Sequence, residues 1–341
     1  MYPLKFKPIY KEIIWGGRSF AGLGRKIPPR KNIAESWELS VHDEGQSIIS
    51  NGPYKGRYFK RLLEEFGKDI TGYGLPDRFV YEFPLLVKLI DANDDLSIQV
   101  HPTDDYAGMN EDAGYGKDET WVVLAAAPGA KLVYGLKEDS IDREKLRNAI
   151  IRGEAEKYLN YVEAGPGDVF NVYPGLIHGI GKGILIAEFQ QNSNITYRIY
   201  DYNRVDSDGN KRELHIQKAL DVAVLKKIYP FDRIPGNKES NIDGNMIMTY
   251  VYKKPYVLQT VETENGFTDD TGNQRFYIYH IISGEGYLEY GNNSEPLKKA
   301  ETVLIPACIG EFTLKGKMKA VRVYIGTEYD KKIKNAEEIA F

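Results

Sequence analysis

Short apolar segments separated by turn residues recur along the chain, and this pattern most constrains the fold. The clearest alternation of apolar and polar residues lies in 276–290, where Gly284 and Gly286 predict a hairpin turn. The chain also contains 25 tyrosines and 33 glycines. Tyrosine favours half-buried pleated surfaces and glycine favours tight turns. We therefore predict a mainly β protein built of barrels or sandwiches.

Individual elements can be placed from the periodicity of apolar residues. Three segments have helical periodicity instead of alternation, so a few helices are expected within or beside the first barrel. The helices are predicted at Tyr58–Phe66, Ser140–Ile150 and Arg212–Lys226. The remaining strands are predicted at Leu96–His101, Thr120–Ala125, Lys131–Tyr134, Asp168–Val172, Ile184–Gln190, Thr302–Ile305 and Ala320–Ile325.

The length of 341 residues suits two domains better than one. A polar stretch with Gly and Pro follows the third predicted helix, and we place the boundary there. We expect a first domain at 1–229, a linker at 230–245 and a second domain at 246–341. A weak internal repeat supports two similar barrels, because strands in both halves lead to a comparable turn. Only the first half has a histidine, His178, after that turn; Gly310 lies near the matching place.

Composition excludes several classes of protein. The net charge is −4 and basic residues are scattered, so no nucleic-acid partner is expected. No apolar stretch approaches the roughly 20 residues that a membrane-spanning helix needs. The N-terminus lacks the apolar region of a signal peptide. The single cysteine, Cys308, fits a reducing compartment. We expect a cytoplasmic protein that is a monomer or a weak homo-oligomer.

The strongest local signal for chemistry lies in Ser97–Pro102. Residues two apart on a strand point to the same face, so Ser97, Gln99 and His101 project together. Polar side chains that face a barrel interior are costly unless something satisfies them. The alternative is a solvent-facing strand edge that ends at Pro102.

Glu119 opens the next predicted strand, and His178 follows a Pro-Gly turn. Taken alone, the first is typical of a solvated strand start and the second of a loop histidine. Together with Gln99 and His101 they match the arrangement by which cupin barrels hold one metal ion. Two imidazoles and one carboxylate suit zinc or another borderline divalent cation, and the amide makes the set less selective. We expect one divalent ion per chain, preferably Zn²⁺. The remaining histidines, His42, His215 and His280, have no partners at ligand spacing and are expected to be structural or exposed.

Several ordered motifs resemble one known family. They are WGG at Trp15–Gly17, AESWELS at Ala34–Ser40, FPLLVKLIDANDDLSIQVHP, GKDETW, GDVFNVYPGLIHGI and IAEFQQNSNITYRIYDYNR. Nearly the whole chain resembles class I mannose-6-phosphate isomerases, in particular the short bacterial form. The resemblance implies two cupin-like barrels with a helical insertion, and interconversion of mannose 6-phosphate and fructose 6-phosphate. It also implies zinc at Gln99, His101, Glu119 and His178.

The resemblance also implies roles for basic residues. Arg198 aligns with the catalytic arginine of the family, whose guanidinium suits stabilisation of an enediolate oxygen; the alternative is a surface strand arginine. Lys117, with Ser97 and Arg204, is expected to bind the phosphate of a phosphorylated hexose. Arg204 stands where the longer enzymes have a lysine.

The chain departs from the longer enzymes at three places. Gly116 replaces a histidine, which removes an imidazole from any ring-opening role. Asn194 replaces an aspartate and cannot act as a base. Pro174 directly precedes Gly175, where the family usually has one residue between them.

The identity of the general base is open at this stage. Glu188 lies on the strand after His178 and is our candidate, although an exposed strand glutamate and a metal-held hydroxide as the base are both alternatives. Two other functions also remain open. A cupin iron oxygenase would not need Lys117, Arg198 and Arg204. A non-catalytic sugar-binding regulator of the same fold would bind the sugar without turnover.

Overall fold

The computed structural model describes residues 1–111, 113–205, 208–228, 236–240 and 244–327, and within them the predicted mainly β class is confirmed. The helices are α1 (Phe59–Phe66), α2 (Lys68–Thr71), α3 (Asp104–Asn110), α4 (Arg143–Ile151) and α5 (Ile216–Val222). The strands are β1 (Leu4–Lys5), β2 (Ile9–Lys11), β3 (Glu35–Leu39), β4 (Val41–His42), β5 (Gly45–Gln46), β6 (Leu85–Ala92), β7 (Ile98–Val100), β8 (Glu119–Ala126), β9 (Lys131–Leu136), β10 (Leu159–Glu163), β11 (Val169–Val172), β12 (His178–Ile180), β13 (Ile184–Gln191), β14 (Tyr197–Tyr200), β15 (Asn237–Ser240), β16 (Met246–Tyr252), β17 (Val257–Thr263), β18 (Phe267–Asp270), β19 (Tyr277–Tyr290), β20 (Asn293–Lys298), β21 (Thr302–Ile305), β22 (Glu311–Lys315) and β23 (Met318–Tyr324).

The chain forms two compact units that are interleaved in sequence. One unit combines Met1–Ile9, Trp37–Leu85 and Pro235–Phe341, and the other combines Tyr10–Ser36 with Leu86–Ile234. This grouping differs from the linear division at 230–245 that we expected. Much of that expected linker lies outside the described residues, and its described part contains β15, which pairs with β16.

The unit that contains the C-terminal strands has a ten-stranded antiparallel sheet. Its central strand, β19, runs unbroken through Gly284 and Gly286, so the predicted hairpin turn is wrong. The first half of β19 pairs with β21 and β23, and its second half pairs with β20 and β22. A Cβ at Gly284 would lie 2.1 Å from the Lys317 oxygen, and one at Gly286 would lie 1.9 Å from the Lys315 oxygen. These glycines therefore permit close approach of neighbouring strands rather than a reversal.

The second unit contains the strands that carry the predicted site. A five-stranded sheet has the order β10-β9-β12-β7-β14, and a six-stranded sheet has the order β11-β8-β13-β6-β3-β2. One apolar core lies among side chains of both sheets, including Trp121, Phe170 and Ile186. Every residue of β6 and of β13 is buried. Near-continuous apolar runs of this kind are typical of strands covered on both faces.

The helices follow the sequence at α1 and α4 but differ at the third prediction. Helix α4 begins after Asp142, whose side chain accepts a hydrogen bond from the Lys145 amide. Helix α5 is shorter than the predicted Arg212–Lys226, and the residues just before it form hydrogen bonds with Arg198 of β14. The amide of His215 donates to the Arg198 carbonyl at 2.8 Å. No helix in the described part of the chain combines the length and the apolar character needed to cross a membrane.

Candidate active site

The predicted metal ligands come from both sheets of the second unit. Across the five-stranded sheet, Gln99 pairs with His178 on one side and with Arg198 on the other. Directly paired residues point to the same face, so these three side chains form one row. His101 directly follows β7. Glu119 opens β8 in the six-stranded sheet, and the ligand atoms of His101, Glu119 and His178 all lie within 4.8 Å of one another.

The two imidazoles face the Glu119 carboxylate in a solvent-free space. Oε1 of Glu119 lies 3.6 Å from Nε2 of His101 and 3.5 Å from Nε2 of His178. All three side chains have zero exposure. The ring of Trp121 packs edge-on against His178, with 5.4 Å between ring centroids. Trp121 therefore covers one side of the candidate ligands, while Gln99 beside them is only partly buried.

Backbone carbonyls fix the tautomer of both histidines. Nδ1 of His101 donates to the Ile195 carbonyl at 2.9 Å, and Nδ1 of His178 donates to the Leu176 carbonyl at 2.8 Å. Burial lowers the pKa of His101 to about 3 and that of His178 to about 4, so both rings are neutral near pH 7. Each Nε2 therefore presents a lone pair towards Glu119. A histidine held in this way is the form that binds metal ions.

This arrangement fits a divalent cation. Oε1 of Glu119 accepts no hydrogen bond from the described residues. Two lone pairs and a carboxylate that face each other without a proton between them repel, and a cation at their centre would turn that repulsion into three bonds. Gln99 lies beside them, with its Nε2 3.3 Å from Nε2 of His178. Rotation of the amide would present its oxygen to the same point.

Lys117 is buried against the candidate ligands. Its Nζ lies 2.8 Å from Oε2 of Glu119 and 3.2 Å from Nε2 of His101. Burial disfavours the ammonium form, but the carboxylates of Glu119 and Glu188 outweigh it and raise the pKa of Lys117. Burial raises the pKa of Glu119, yet Lys117 and the two histidines bring it well below its usual range. Lys117 is therefore charged and contacts two of the candidate metal ligands.

Glu188 is buried, so the alternative of an exposed strand glutamate is excluded. The indole Nε1 of Trp121 donates to its Oε2 at 3.0 Å, while its Oε1 accepts no hydrogen bond from the described residues. Burial and the nearby Glu119 raise the pKa of Glu188 to about 7. Trp121 therefore contacts both Glu188 and His178, and joins the candidate base to the candidate ligands.

The sequence interpretation missed Lys88. Its Nζ lies 3.7 Å from Oε1 of Glu188, 3.6 Å from Oε2 of Glu35 and 3.4 Å from Oδ1 of Asn194. The signal was present, because Lys88 is the lone cation in the apolar run of β6. A lysine buried on such a strand needs partners of opposite charge.

The remaining predicted residues lie beside this centre. The hydroxyl of Ser97 is 3.4 Å from Oε1 of Gln99. Arg198 is half-buried, and its Nη1 donates to the Glu213 carbonyl at 2.8 Å. Nη2 of Arg204 donates to the Asp201 carboxylate at 2.7 Å, so this arginine already has an anionic partner.

Gly116 explains one departure from the longer enzymes. A Cβ at this position would lie 2.4 Å from both the Pro102 oxygen and the Thr103 carbonyl carbon, which are backbone atoms. The amide of Gly116 also donates to the Asp104 carboxylate at 2.8 Å. No side chain fits there without movement of the loop, so the histidine of the longer enzymes has no equivalent at this position.

Comparison with known proteins identifies the family of the chain. The profile of the type I phosphomannose isomerase catalytic domain matches residues 3–122, and that of the mannose-6-phosphate isomerase cupin domain matches 259–325. Mannose-6-phosphate isomerase ManA of Bacillus subtilis (strain 168) is 38% identical over 314 residues, covering 92% of this chain and 96% of the relative. The Streptococcus mutans mannose-6-phosphate isomerase is 32% identical over 320 residues, covering 94% and 97%.

A solved structure extends the likeness to the three-dimensional fold. The crystal structure of the mannose 6-phosphate isomerase from Bacillus subtilis has a TM-score of 0.86 and 35% identity, covering 95% of this chain and all of that one. Similarity of this extent spans both compact units and the whole candidate site. The chain belongs to the type I mannose-6-phosphate isomerase family.

Proposed function

We propose that the chain interconverts mannose 6-phosphate and fructose 6-phosphate, with one divalent ion, preferably Zn²⁺, held by Gln99, His101, Glu119 and His178. The observation that supports the metal assignment is the buried meeting of two unprotonated Nε2 atoms with Oε1 of Glu119, which accepts no hydrogen bond from the described residues. When bound, the ion supplies a Lewis acid that polarises a substrate oxygen. The family to which the chain belongs supports the reaction.

Glu188 is the proposed general base and acid. An aldose–ketose isomerisation removes a proton from the carbon beside the carbonyl and returns it at the neighbouring carbon. A carboxyl group whose pKa is about 7 can do both near neutral pH. The Trp121 indole fixes one oxygen of Glu188 and leaves the other on the side of Lys88.

Cations around this carboxylate have separate proposed roles. Arg198 lies in the row beside Gln99, so its guanidinium can stabilise the negative oxygen of an enediolate. Lys117, Ser97 and Arg204 are proposed to hold the substrate. Because Lys117 contacts Glu119, its charge acts nearest the reacting carbons.

A coupled assay on mannose 6-phosphate, with and without chelator, tests the proposal. We expect turnover that the chelator abolishes and that added zinc restores. Stoichiometric metal without turnover would indicate a sugar-binding regulator, and oxygen consumption would indicate an oxygenase. We also propose that the protein is cytoplasmic and a monomer or weak homo-oligomer, which fractionation of cells and gel filtration would test.

A further inference from the structure

Asp201 binds two arginines that follow it in the chain. This carboxylate lies directly after β14 and is 5% exposed. Arg204 donates to Oδ1 through Nη2 at 2.7 Å. Arg212 donates to Oδ2 through Nε at 2.7 Å and to Oδ1 through Nη2. Burial opposes the charged form of Asp201, but these two guanidinium groups lower its pKa. A single buried carboxylate therefore orients both arginines.

Arg204 and Arg212 differ in how many of their N–H donors are available to a ligand. The guanidinium of Arg204 already has partners on several sides. Its Nη1 also donates to Asp94 at 3.5 Å, and the group lies 5.1 Å from the ring centroid of Tyr202. Arg212 contacts Asp201 along one edge only, and its Nη1 has no acceptor in the described part of the chain. Its side chain is 24% exposed. The outer edge of Arg212 is therefore available to a second anion.

Hydrogen bonds to β14 place the segment of Arg212 beside the row formed by His178, Gln99 and Arg198. Its segment lies along β14, where Nη1 of Arg198 donates to the Glu213 carbonyl at 2.8 Å and the Arg198 amide donates to Nδ1 of His215 at 3.2 Å. Burial, and next the charge of Arg212, lower the pKa of Arg198. Neighbouring strands lie about 4.8 Å apart, so Arg198 is two strand spacings from His178. That distance is comparable to the reach of an extended hexose phosphate.

The charges of Arg198, Arg204 and Arg212 favour the binding of a dianion. Arg204 and Arg212 both bind the buried Asp201, and Arg198 lies close enough for its pKa to respond to Arg204, Arg212 and Asp201. The Glu213 carboxylate also acts on Arg198, but its side chain is 83% exposed and water screens it, so positive charge is in excess here. The nearby Asp94 is half exposed, so water screens its charge. A planar guanidinium held along one edge offers parallel donors on the other, which is the geometry that binds phosphate in a bidentate manner.

We propose that Arg212 binds the phosphate group of the substrate and that Asp201 is the positioning residue that orients it. This inference rests on the proposed function, and it places the phosphate at Arg204 and Arg212 instead of at Ser97 and Lys117, which contact the candidate metal ligands. The reacting end of the sugar then lies at His178 and Glu119, and the phosphate lies beyond Arg198. In this arrangement Lys117, which contacts Glu119, lies near the reacting carbons and not near the phosphate.

The experiment compares Arg212→Gln, Arg212→Lys and Asp201→Asn with the control Arg147→Gln. Arg147 is a partly exposed arginine of α4. Steady-state kinetics on mannose 6-phosphate, inhibition by inorganic phosphate, and bound zinc are measured for each variant. Binding of a hexitol 6-phosphate, which cannot be isomerised, is measured by calorimetry. This probe reports on the phosphate site even in a protein without isomerase activity.

For Arg212→Gln we expect a rise of about 10- to 100-fold in KM and in the phosphate inhibition constant, the range for a lost charged hydrogen bond. The kcat and the zinc content should stay within about threefold of the parent, since uniform binding affects KM. Arg212→Lys should be intermediate. Asp201→Asn should raise KM in the same direction, and Arg147→Gln should change nothing.

A second measurement avoids the risk that a variant does not fold. In the parent protein, phenylglyoxal should label Arg212 more slowly when inorganic phosphate is present, while labelling of Arg147 should not change. Equal KM and hexitol-phosphate affinity in Arg212→Gln, or no protection of Arg212, would overturn the inference. Absence of turnover in a parent that still binds the hexitol phosphate through Arg212 would instead overturn the isomerase proposal alone.

Discussion

Nε2 of His178 and Oε1 of Glu119 face each other across 3.5 Å, and both side chains are fully buried. The carbonyl of Leu176 takes the only proton of the neutral ring, so two hydrogen-bond acceptors meet there. This contact is unfavourable in the protein alone and favourable around a cation. It is the basis of the metal predictions that follow.

Replacement of either imidazole should remove the metal. We expect His101→Ala and His178→Ala to lose both bound zinc and isomerase turnover, because each supplies one of the facing Nε2 atoms. Elemental analysis of purified protein, with about one ion per parent chain, is the measurement. His280→Ala is the control: its ring bonds Thr302 in the other compact unit, so its zinc content should match the parent. Full zinc in both site variants would refute the assignment.

Glu188 should make the metal-free protein less stable as pH rises. Its folded pKa of about 7 exceeds its ordinary value of 4.5, so the folded state binds its proton more tightly. The resulting stabilisation is present below pH 4.5 and is lost as pH rises through 7. Its full size is about 3 kcal/mol, at 1.36 kcal/mol per pKa unit. Urea unfolding of chelated protein at several pH values should therefore show a smaller decline in Glu188→Gln. Parallel curves for the two proteins would contradict the raised pKa.

Arg198→Ala should lower kcat by about 10²- to 10³-fold, as for loss of a preorganised group that stabilises an oxyanion. Zinc content should remain near that of the parent, because Arg198 is next to Gln99 in the row but contributes no ligand atom. Stopped assays at saturating mannose 6-phosphate, with metal analysis of the same sample, provide the check. A normal kcat would remove Arg198 from the mechanism.

Solvent hydrogen should enter the product. If Glu188 removes the proton and returns it, the reaction in heavy water should place deuterium at the carbon that gains hydrogen. Partial incorporation fits a buried carboxylate that sometimes returns the same proton. Mass spectrometry of the isolated fructose 6-phosphate gives the answer. A complete lack of deuterium over many turnovers would indicate direct hydride transfer between carbons.

Gly116→His should not recreate the longer enzymes' histidine. Because an added Cβ meets backbone atoms at 2.4 Å, we expect a loss of stability of at least about 1–3 kcal/mol, as in overpacked sites. Gly116→Ala should show most of this loss. Gly108→Ala in α3 is the matched control, since its nearest neighbour would be 3.9 Å away. Thermal unfolding measures all three, and equal melting temperatures for Gly116→Ala and Gly108→Ala would disprove the clash.

Alternation and turn residues were sufficient to predict the β class and the strands at Gln99 and Glu119, but not the short strand that His178 opens. Gln99 and His101 share a face because of the two-residue period of a strand, which sequence alone reveals. Glu188 could be placed on its strand, but its burial could not, because that depends on how the two sheets close. The turn predicted at Gly284 was wrong because glycine permits close strand approach as well as reversal.

Pairings between distant residues were beyond local sequence reasoning. Lys88 and Glu188 are separated by a hundred positions, and only the closed barrel brings them to 3.7 Å. Asp201 and Arg212 were missed for another reason. The segment before α5 was predicted as helix, which would have turned Arg212 along a helical face instead of alongside β14.

The candidate ligands are distant in sequence: His178 lies 79 positions after Gln99. An ion bound by both would act as a cross-link that closes a loop of that length, in a chain with a single cysteine. Closure of a loop restricts the unfolded ensemble, in the way a disulfide does. The free energy of metal binding then becomes part of the free energy of folding. Unfolding should therefore depend on free metal concentration by mass action, so that metal supply sets the stability of the folded barrel as well as its activity.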